Sequence, residues 1–236
     1  MPEVRRFASL ADLGHAAAAA VVQVAADAIR LRGRCAIVLS GGNSPKTLYR
    51  LLATSHRDEV DWTRVHLFWG DERWVPATDP ASNYRMAREA LIDHVLCPPD
   101  HIHPIPVDAS SPDAAARDYE RTLRAFFHDD GTGPDLVLLG MGSDGHTASL
   151  FPQSPALDER TRWVVASTAP IEPRDRVTLT MPAINRAQHV FLLVSGPDKQ
   201  SAFAEATSGR ADPHECPAAM VRPENGTLVW WVTAMP

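Results

Sequence analysis

The chain has 236 residues, 44% hydrophobic and 22% charged, a composition that excludes disordered and fibrous classes and allows a sizeable core. Its formal net charge of −6 offers no basic field to nucleic acid or an anionic membrane, although a local pocket can still be positive. Cys35, Cys97 and Cys216 lie far apart, with no C-x-x-C spacing, so reduced thiols and a cytoplasmic setting are expected.

The opening MPEVRRFASL lacks a secretory apolar region. Leu10–Leu31 reads as a long helix, ended by Gly33. Its Ala-rich part, His15–Ile29, is interrupted by Gln23 and Asp27 and falls short of the ~20 apolar residues that span a bilayer. It is expected to pack on a core. Cys35–Leu39 is a short, partly β-branched run bounded by glycines, hence a buried strand. Ser44 then reads as the N-cap of a helix with Pro45 at its first position.

Val65–Trp69 is a second strand, running into Gly70-Asp71-Glu72-Arg73. Ser82-Asn83-Tyr84 caps a helix over Arg85–Ile92, and His103-Pro104-Ile105 suggests a short edge strand. Asp113–Phe127 is a helix with Tyr119, Leu123, Phe126 and Phe127 near one face. Leu136–Leu139, Trp163–Ala166, Val177–Thr180, Val190–Val194 and Thr227–Val232 read as strands, and Pro197–Thr207 as a helix. The 20 prolines fall mostly at segment ends, which implies stiff loops.

Strands alternating with helices imply βαβ units, a mostly parallel sheet and right-handed crossovers. The expectation is one α/β domain over residues 1–236. Ligands of such sheets bind beyond the carboxyl ends of the strands. The loops after Leu39, Trp69, Leu139 and Val194 are of that kind, and all are polar or glycine-rich.

Ser40-Gly41-Gly42-Asn43-Ser44-Pro45 presents amides and a helix start suited to a phosphate, or is an ordinary tight turn. It is not a Walker A loop, because the glycine before Lys46 is missing. Asp71-Glu72-Arg73 offers carboxylates and a cation to a substrate, with a solvated charge run as the plain alternative. Gly140–Gly145 matches G-x-G-x-x-G after a strand, but Pro152 and Pro155 leave no room for the long helix of a dinucleotide site.

The side chains of that stretch carry more information. A histidine takes a proton near neutral pH, so His146 is the candidate general base and Asp144, two residues before it, can orient the ring. A structural turn histidine is the alternative. Arg174, Arg176 and Lys199 could each supply positive charge to a phosphate. The pair His101-x-His103 is poor support for a metal site, and no metal or cofactor is expected.

Six stretches together resemble the bacterial-type 6-phosphogluconolactonase family: LSGGNSPKTLYRLLA, WGDERWVP, SNYRMA, GMGSDGHTASLFP, RVTLTMPAIN and SGPDKQSAF. The resemblance covers most of the chain. It implies a Rossmann-like α/β fold, a mostly parallel sheet flanked by helices, shared with glucosamine-6-phosphate deaminases and ribose-5-phosphate isomerases. It further implies hydrolysis of 6-phospho-D-glucono-1,5-lactone to 6-phosphogluconate in the oxidative pentose phosphate pathway. His146 matches the family's general base. Gly41, Gly42 and Ser44 match its phosphate loop, which also contains Asn43. Arg73, Lys199 and Arg176 match phosphate-holding positions, and Asp71 matches an active-site carboxylate. The implied partner is a sugar phosphate, with no nucleic acid or membrane, and the protein is expected as a monomer or homodimer.

The deaminase branch resembles the chain at the same glycine loop, at Asp71-Glu72 and at Asp144-Gly145-His146. Deaminases, however, carry a glutamate where this chain has Phe151, and usually a tyrosine where it has Arg73. Sugar-phosphate-sensing regulators of related fold carry an N-terminal helix-turn-helix, for which the first helix, followed directly by Cys35–Leu39, leaves no room.

Overall fold

Short apolar runs between glycine-rich or polar turns become the buried strands, and a computed structural model describes them across residues 3–127 and 133–233. In chain order the elements are β1 (Glu3–Phe7), α1 (Leu10–Arg32), β2 (Cys35–Leu39), α2 (Asn43–Ala53), β3 (Val65–Trp69) and β4 (Asp71–Arg73). Then come α3 (Asn83–Ala90), β5 (Ile102–His103), α4 (Pro112–Phe127), β6 (Leu136–Gly140), β7 (Val164–Thr168) and β8 (Asp175–Leu179). The last are α5 (Met181–Ile184), β9 (His189–Val194), α6 (Gln200–Thr207) and β10 (Thr227–Thr233).

Among the described residues the main sheet has seven strands in the order β1-β10-β9-β6-β2-β3-β5. All its pairings are parallel. The α1 helix starts at Ser9, whose hydroxyl accepts from the Asp12 amide, and stops at Gly33 in the left-handed region. Its buried face, Leu13, Ala17, Val21, Ala25 and Ala28, follows helical spacing. Among the described residues, no helix is long and apolar enough to cross a membrane.

The sequence places 163–166 and 177–180 among the strands of a mostly parallel sheet. They form instead a separate three-stranded sheet, β4-β8-β7, with antiparallel pairings. The reason is chain length. A short turn joins β7 to β8, and a parallel partner needs a crossover of a dozen or more residues. Asp71–Arg73, expected as a loop, is the third strand of this sheet.

The chain steps from β2 to β3 to β5 in one direction across the main sheet, and from β6 to β9 to β10 in the other. The reversal lies between the neighbours β2 and β6. Loops leaving adjacent strands on opposite sides of a reversal part and leave a crevice between them. At the other end of these strands Asp135 is buried. It accepts from the Ala36 amide at 2.7 Å and pairs with Arg32 at the end of α1.

The β3–β5 edge carries a histidine cluster. His66 Nδ1 lies 3.2 Å from His103 Nε2, and the His66 ring stacks on His101 at 3.8 Å between centroids. Burial, then the neighbouring imidazoles, push His66 down from 6.5 to about 4; burial and His101 likewise lower His103. Both folded-state values lie below their unfolded ones. As pH falls from about 6.5 towards 4, the unfolded chain takes up protons that the folded chain refuses, so stability falls over that window. The urea midpoint should drop between pH 7 and pH 5 in the native protein and drop less in His66→Phe. Equal drops in both would show that other groups carry the acid sensitivity.

Candidate active site

The β2 loop comes first. Gly42 (φ 102°) is the N-cap of α2, and no side chain caps the helix. Ser44 and Pro45 therefore sit inside the first turn rather than at the cap and first position as the sequence suggested. A first turn without a side-chain cap leaves amide hydrogens to be satisfied by a ligand or by water. At Gly41 a β-carbon would collide with the side-chain oxygen of Asn83, so only glycine lets this loop lie against α3.

The two acids after β3 have different surroundings. Glu72 is 2% exposed and accepts from the amides of Arg73, Asn83 and Tyr84 and from the Ser82 hydroxyl. It anchors the start of α3. Burial raises its carboxyl above the usual range, against the three amides that lower it. Asp71 is also buried, yet it faces a cavity. Its carboxylate accepts from Ser149 Oγ at 2.7 Å and from Asn83 Nδ2 at 3.3 Å.

The loop after β6 presents the histidine. His146 Nδ1 lies 2.5 Å from Asp144 Oδ1, which also accepts the His146 amide at 3.1 Å. Burial pushes the Asp144 carboxyl up, but the hydrogen bond and charge of His146 outweigh it and leave it below its ordinary value. Asp144 therefore stays anionic beside Nδ1, and a proton on Nδ1 leaves Nε2 as the ring's acceptor. A β-carbon on Gly142 would overlap both the His146 ring and the Asp144 carboxylate. The turn closes through Gly142 N to His146 O at 2.9 Å and Gly145 N to Gly142 O at 3.1 Å, so these two amides are committed within the loop. Thr147–Leu150 forms a tight bridged turn where a dinucleotide site would begin a helix. Phe151 packs on the imidazole at 4.7 Å between centroids.

The loop after β9 closes the ring. Ser195 Oγ lies 2.6 Å from Ser44 Oγ, and the Lys199 amine donates to the Met141 carbonyl. The loops after β2, β6 and β9 and strand β4 are thus tied to one another around a cavity of about 410 Å3. Gly41, Gly42, Asn43, Ser44, Asp71, Arg73, His146 and Lys199 line it. Asp144 stands behind His146. Arg176 lies behind the wall, 6% exposed, as the β8 partner of Arg73 across the ladder. Burial and then the charge of Arg73 lower its affinity for its proton, with Asp71 and Glu72 acting the other way. The Nε atoms of both arginines are buried without a hydrogen-bond partner among the described residues. Arg174 is exposed in the β7–β8 turn. His101 and His103 belong to the β3–β5 edge.

Asn83, Ser149 and Ser195 also belong to this arrangement and were not singled out from the sequence. All three lie inside the recognised stretches. Asn83 holds Asp71, 12 residues away, while the partners of Ser149 and Ser195 lie 78 and 151 residues away, and the sequence gives no signal for such pairings.

A model of the family described as "Glucosamine-6-phosphate isomerases/6-phosphogluconolactonase" matches residues 8–230. A curated relative, the 6-phosphogluconolactonase of Synechocystis sp., is 47% identical over 206 residues, which cover 86% of this chain and 83% of that one. The solved 6-phosphogluconolactonase of Trypanosoma cruzi superposes with a TM-score of 0.86 at 31% identity, covering 99% of this chain and 94% of that one. A monomeric glucosamine-6-phosphate deaminase superposes with a TM-score of 0.83 at 20% identity, covering 99% and 98%, a likeness of fold alone.

An uncapped first turn, a lysine and the Arg73 guanidinium, whose Nε is unpaired among the described residues, line one cavity and suit an anion. Inorganic phosphate should raise the thermal midpoint, with a half-effect concentration roughly tenfold higher in Lys199→Ala, the loss of one charge-assisted contact. An unchanged phosphate dependence would put the anion elsewhere.

Proposed function

The chain belongs to the glucosamine-6-phosphate isomerase/6-phosphogluconolactonase family, and on that premise we propose that it hydrolyses 6-phospho-D-glucono-1,5-lactone to 6-phospho-D-gluconate with His146 as general base. The observation that carries this reading is the Asp144–His146 pair, set at a cavity that Arg73 and Lys199 also line.

A lactone is an activated ester, so water suffices as the nucleophile. His146 Nε2 takes a proton from that water as it attacks the C1 carbonyl. The tetrahedral intermediate then collapses, the bond from C1 to the ring oxygen breaks, and the imidazolium returns the proton to the departing oxygen. Asp144 keeps the ring in the tautomer that exposes Nε2 and stabilises the imidazolium between the two transfers. Gly41, Gly42, Asn43 and Ser44 receive the phosphate, with Arg73 and Lys199 as its cations and Arg176 supporting Arg73 from behind. Asp71, oriented by Ser149 and Asn83, accepts from the sugar hydroxyls. Fixing the phosphate end sets the carbonyl before the base, the part of the barrier that positioning can remove.

Phe151 decides against the deaminase reading. Ring opening and loss of an amine need a further proton-transfer group beside the histidine, and here an apolar ring lies against the imidazole instead.

Purified protein should accelerate disappearance of the lactone at pH 7 and release no ammonia from glucosamine 6-phosphate. Ammonia release would sink the lactonase assignment. His146→Ala should lower kcat by about 10²- to 10⁴-fold, the usual contribution of general acid–base catalysis, while remaining folded by circular dichroism. A near-native kcat would remove His146 as the base. Asp144→Asn should lower kcat with little change in KM, and an unchanged kcat would rule out tautomer control.

A further inference from the structure

Two tyrosines sit where strands of the main sheet turn into the site loops. The Tyr49 hydroxyl, on α2, accepts from the Ser40 amide at 2.8 Å and donates to the Ser40 carbonyl at 2.9 Å. The Tyr119 hydroxyl, on α4, accepts from the Trp69 amide at 2.7 Å and donates to the Trp69 carbonyl at 3.1 Å. Both side chains are fully buried, at 0% and 1% exposure.

The sheet explains why a hydroxyl is needed at these two places. In an extended strand the amide and carbonyl of one residue point to the same side, towards the same neighbouring strand. β6 accompanies β2 only at Ile37 and Val38, so the ladder on that side has ended before Ser40. β5 accompanies β3 only at Leu67 and Phe68, so it has ended before Trp69. Each of these buried residues would keep two unsatisfied backbone groups. One phenol, donor and acceptor at once, satisfies both. Burial pushes the pKa of both phenols well above the ordinary value, so they remain neutral and keep the proton they donate.

We propose that Tyr49 and Tyr119 are positioning residues for the site: each phenol stands in for a missing neighbour strand and fixes the direction in which the chain leaves the sheet. Tyr49 aims Gly41–Asn43, which begins one residue after Ser40. Tyr119 aims Gly70 and Asp71–Arg73, which follow Trp69 directly. The inference rests on the reading that these two segments hold the substrate.

Tyr49→Phe and Tyr119→Phe keep the ring and its packing and remove only the hydroxyl. Each should raise KM for the lactone about tenfold, the scale of buried backbone groups left unsatisfied, with kcat within about threefold of native. Amide hydrogen exchange should accelerate at 40–43 in Tyr49→Phe and at 69–73 in Tyr119→Phe, with β9 and β10 unchanged. A native KM together with native exchange in those segments overturns the proposal. So does exchange that accelerates evenly across the sheet, because that is loss of stability and not of aim. The exchange readout does not depend on activity. Absence of lactonase activity in the native protein would therefore count against the proposed function, while locally faster exchange would still support the tyrosine role.

Discussion

The reversal between β2 and β6 is the constraint on which the rest of the molecule depends. Two neighbouring parallel strands send their chains away in opposite directions, so no helix or loop can cover the crevice between them. Everything polar that matters gathers there. The glycine loop after β2 and the histidine loop after β6 face each other across it. The loop after β9 reaches it through Lys199 and Ser195, and β4 reaches it from the small sheet. A parallel sheet with a steady direction of travel would place the same residues on separate sides of the protein.

Local chemistry then assigns neighbouring residues to different work. Asp71 and Glu72 are consecutive, both acidic and both buried. Glu72 spends its acceptor capacity on three backbone amides and a hydroxyl, so it holds the chain and has little left for a ligand. Asp71 points to the opposite face of the strand, as alternation along β4 requires. There it keeps accepting capacity open towards the cavity. Arg73, on the same face as Asp71, has lost one Nη to the Ala81 carbonyl and keeps a buried Nε unpaired. In the proposed reaction the substrate's phosphate supplies what that guanidinium lacks.

The legible parts of the sequence were those with strong local causes. Runs such as CAIVL and VHLFW are apolar and bounded by turn residues, and they became strands at the expected residues. The glycine loops showed themselves because a β-carbon at Gly41 or Gly142 would collide with its neighbours, and the Asp144–His146 pair because its members lie two residues apart. β1 was hidden because Glu3–Phe7 is a mostly exposed edge strand with three charged residues in five. β4 was hidden because Asp71–Arg73 has no strand propensity of its own and owes its form to pairing with β8. The ties that complete the site join residues 78, 151 and 58 positions apart, namely Ser149 to Asp71, Ser195 to Ser44 and Lys199 to Met141. No local pattern encodes such pairs, since they depend on how the sheet brings its loops together.

Phe151 shows how one apolar residue limits chemistry. On the strength of the family resemblance, a glutamate stands at this position in the deaminase branch, next to the same histidine. A carboxylate there would sit beside Asp144 and the imidazole, adding a second titrating group and a second negative charge to a small loop. The phenylalanine contributes neither. Its ring covers one side of the imidazole at 4.7 Å, and Asp144 is the carboxylate that meets Nδ1. A histidine with a single orienting carboxylate and a free Nε2 can cycle one proton between water and a leaving oxygen, and ester hydrolysis asks for no more than that. On the proposed reading, Phe151 leaves His146 as the one proton carrier of this loop and suits a shared framework to the simpler reaction.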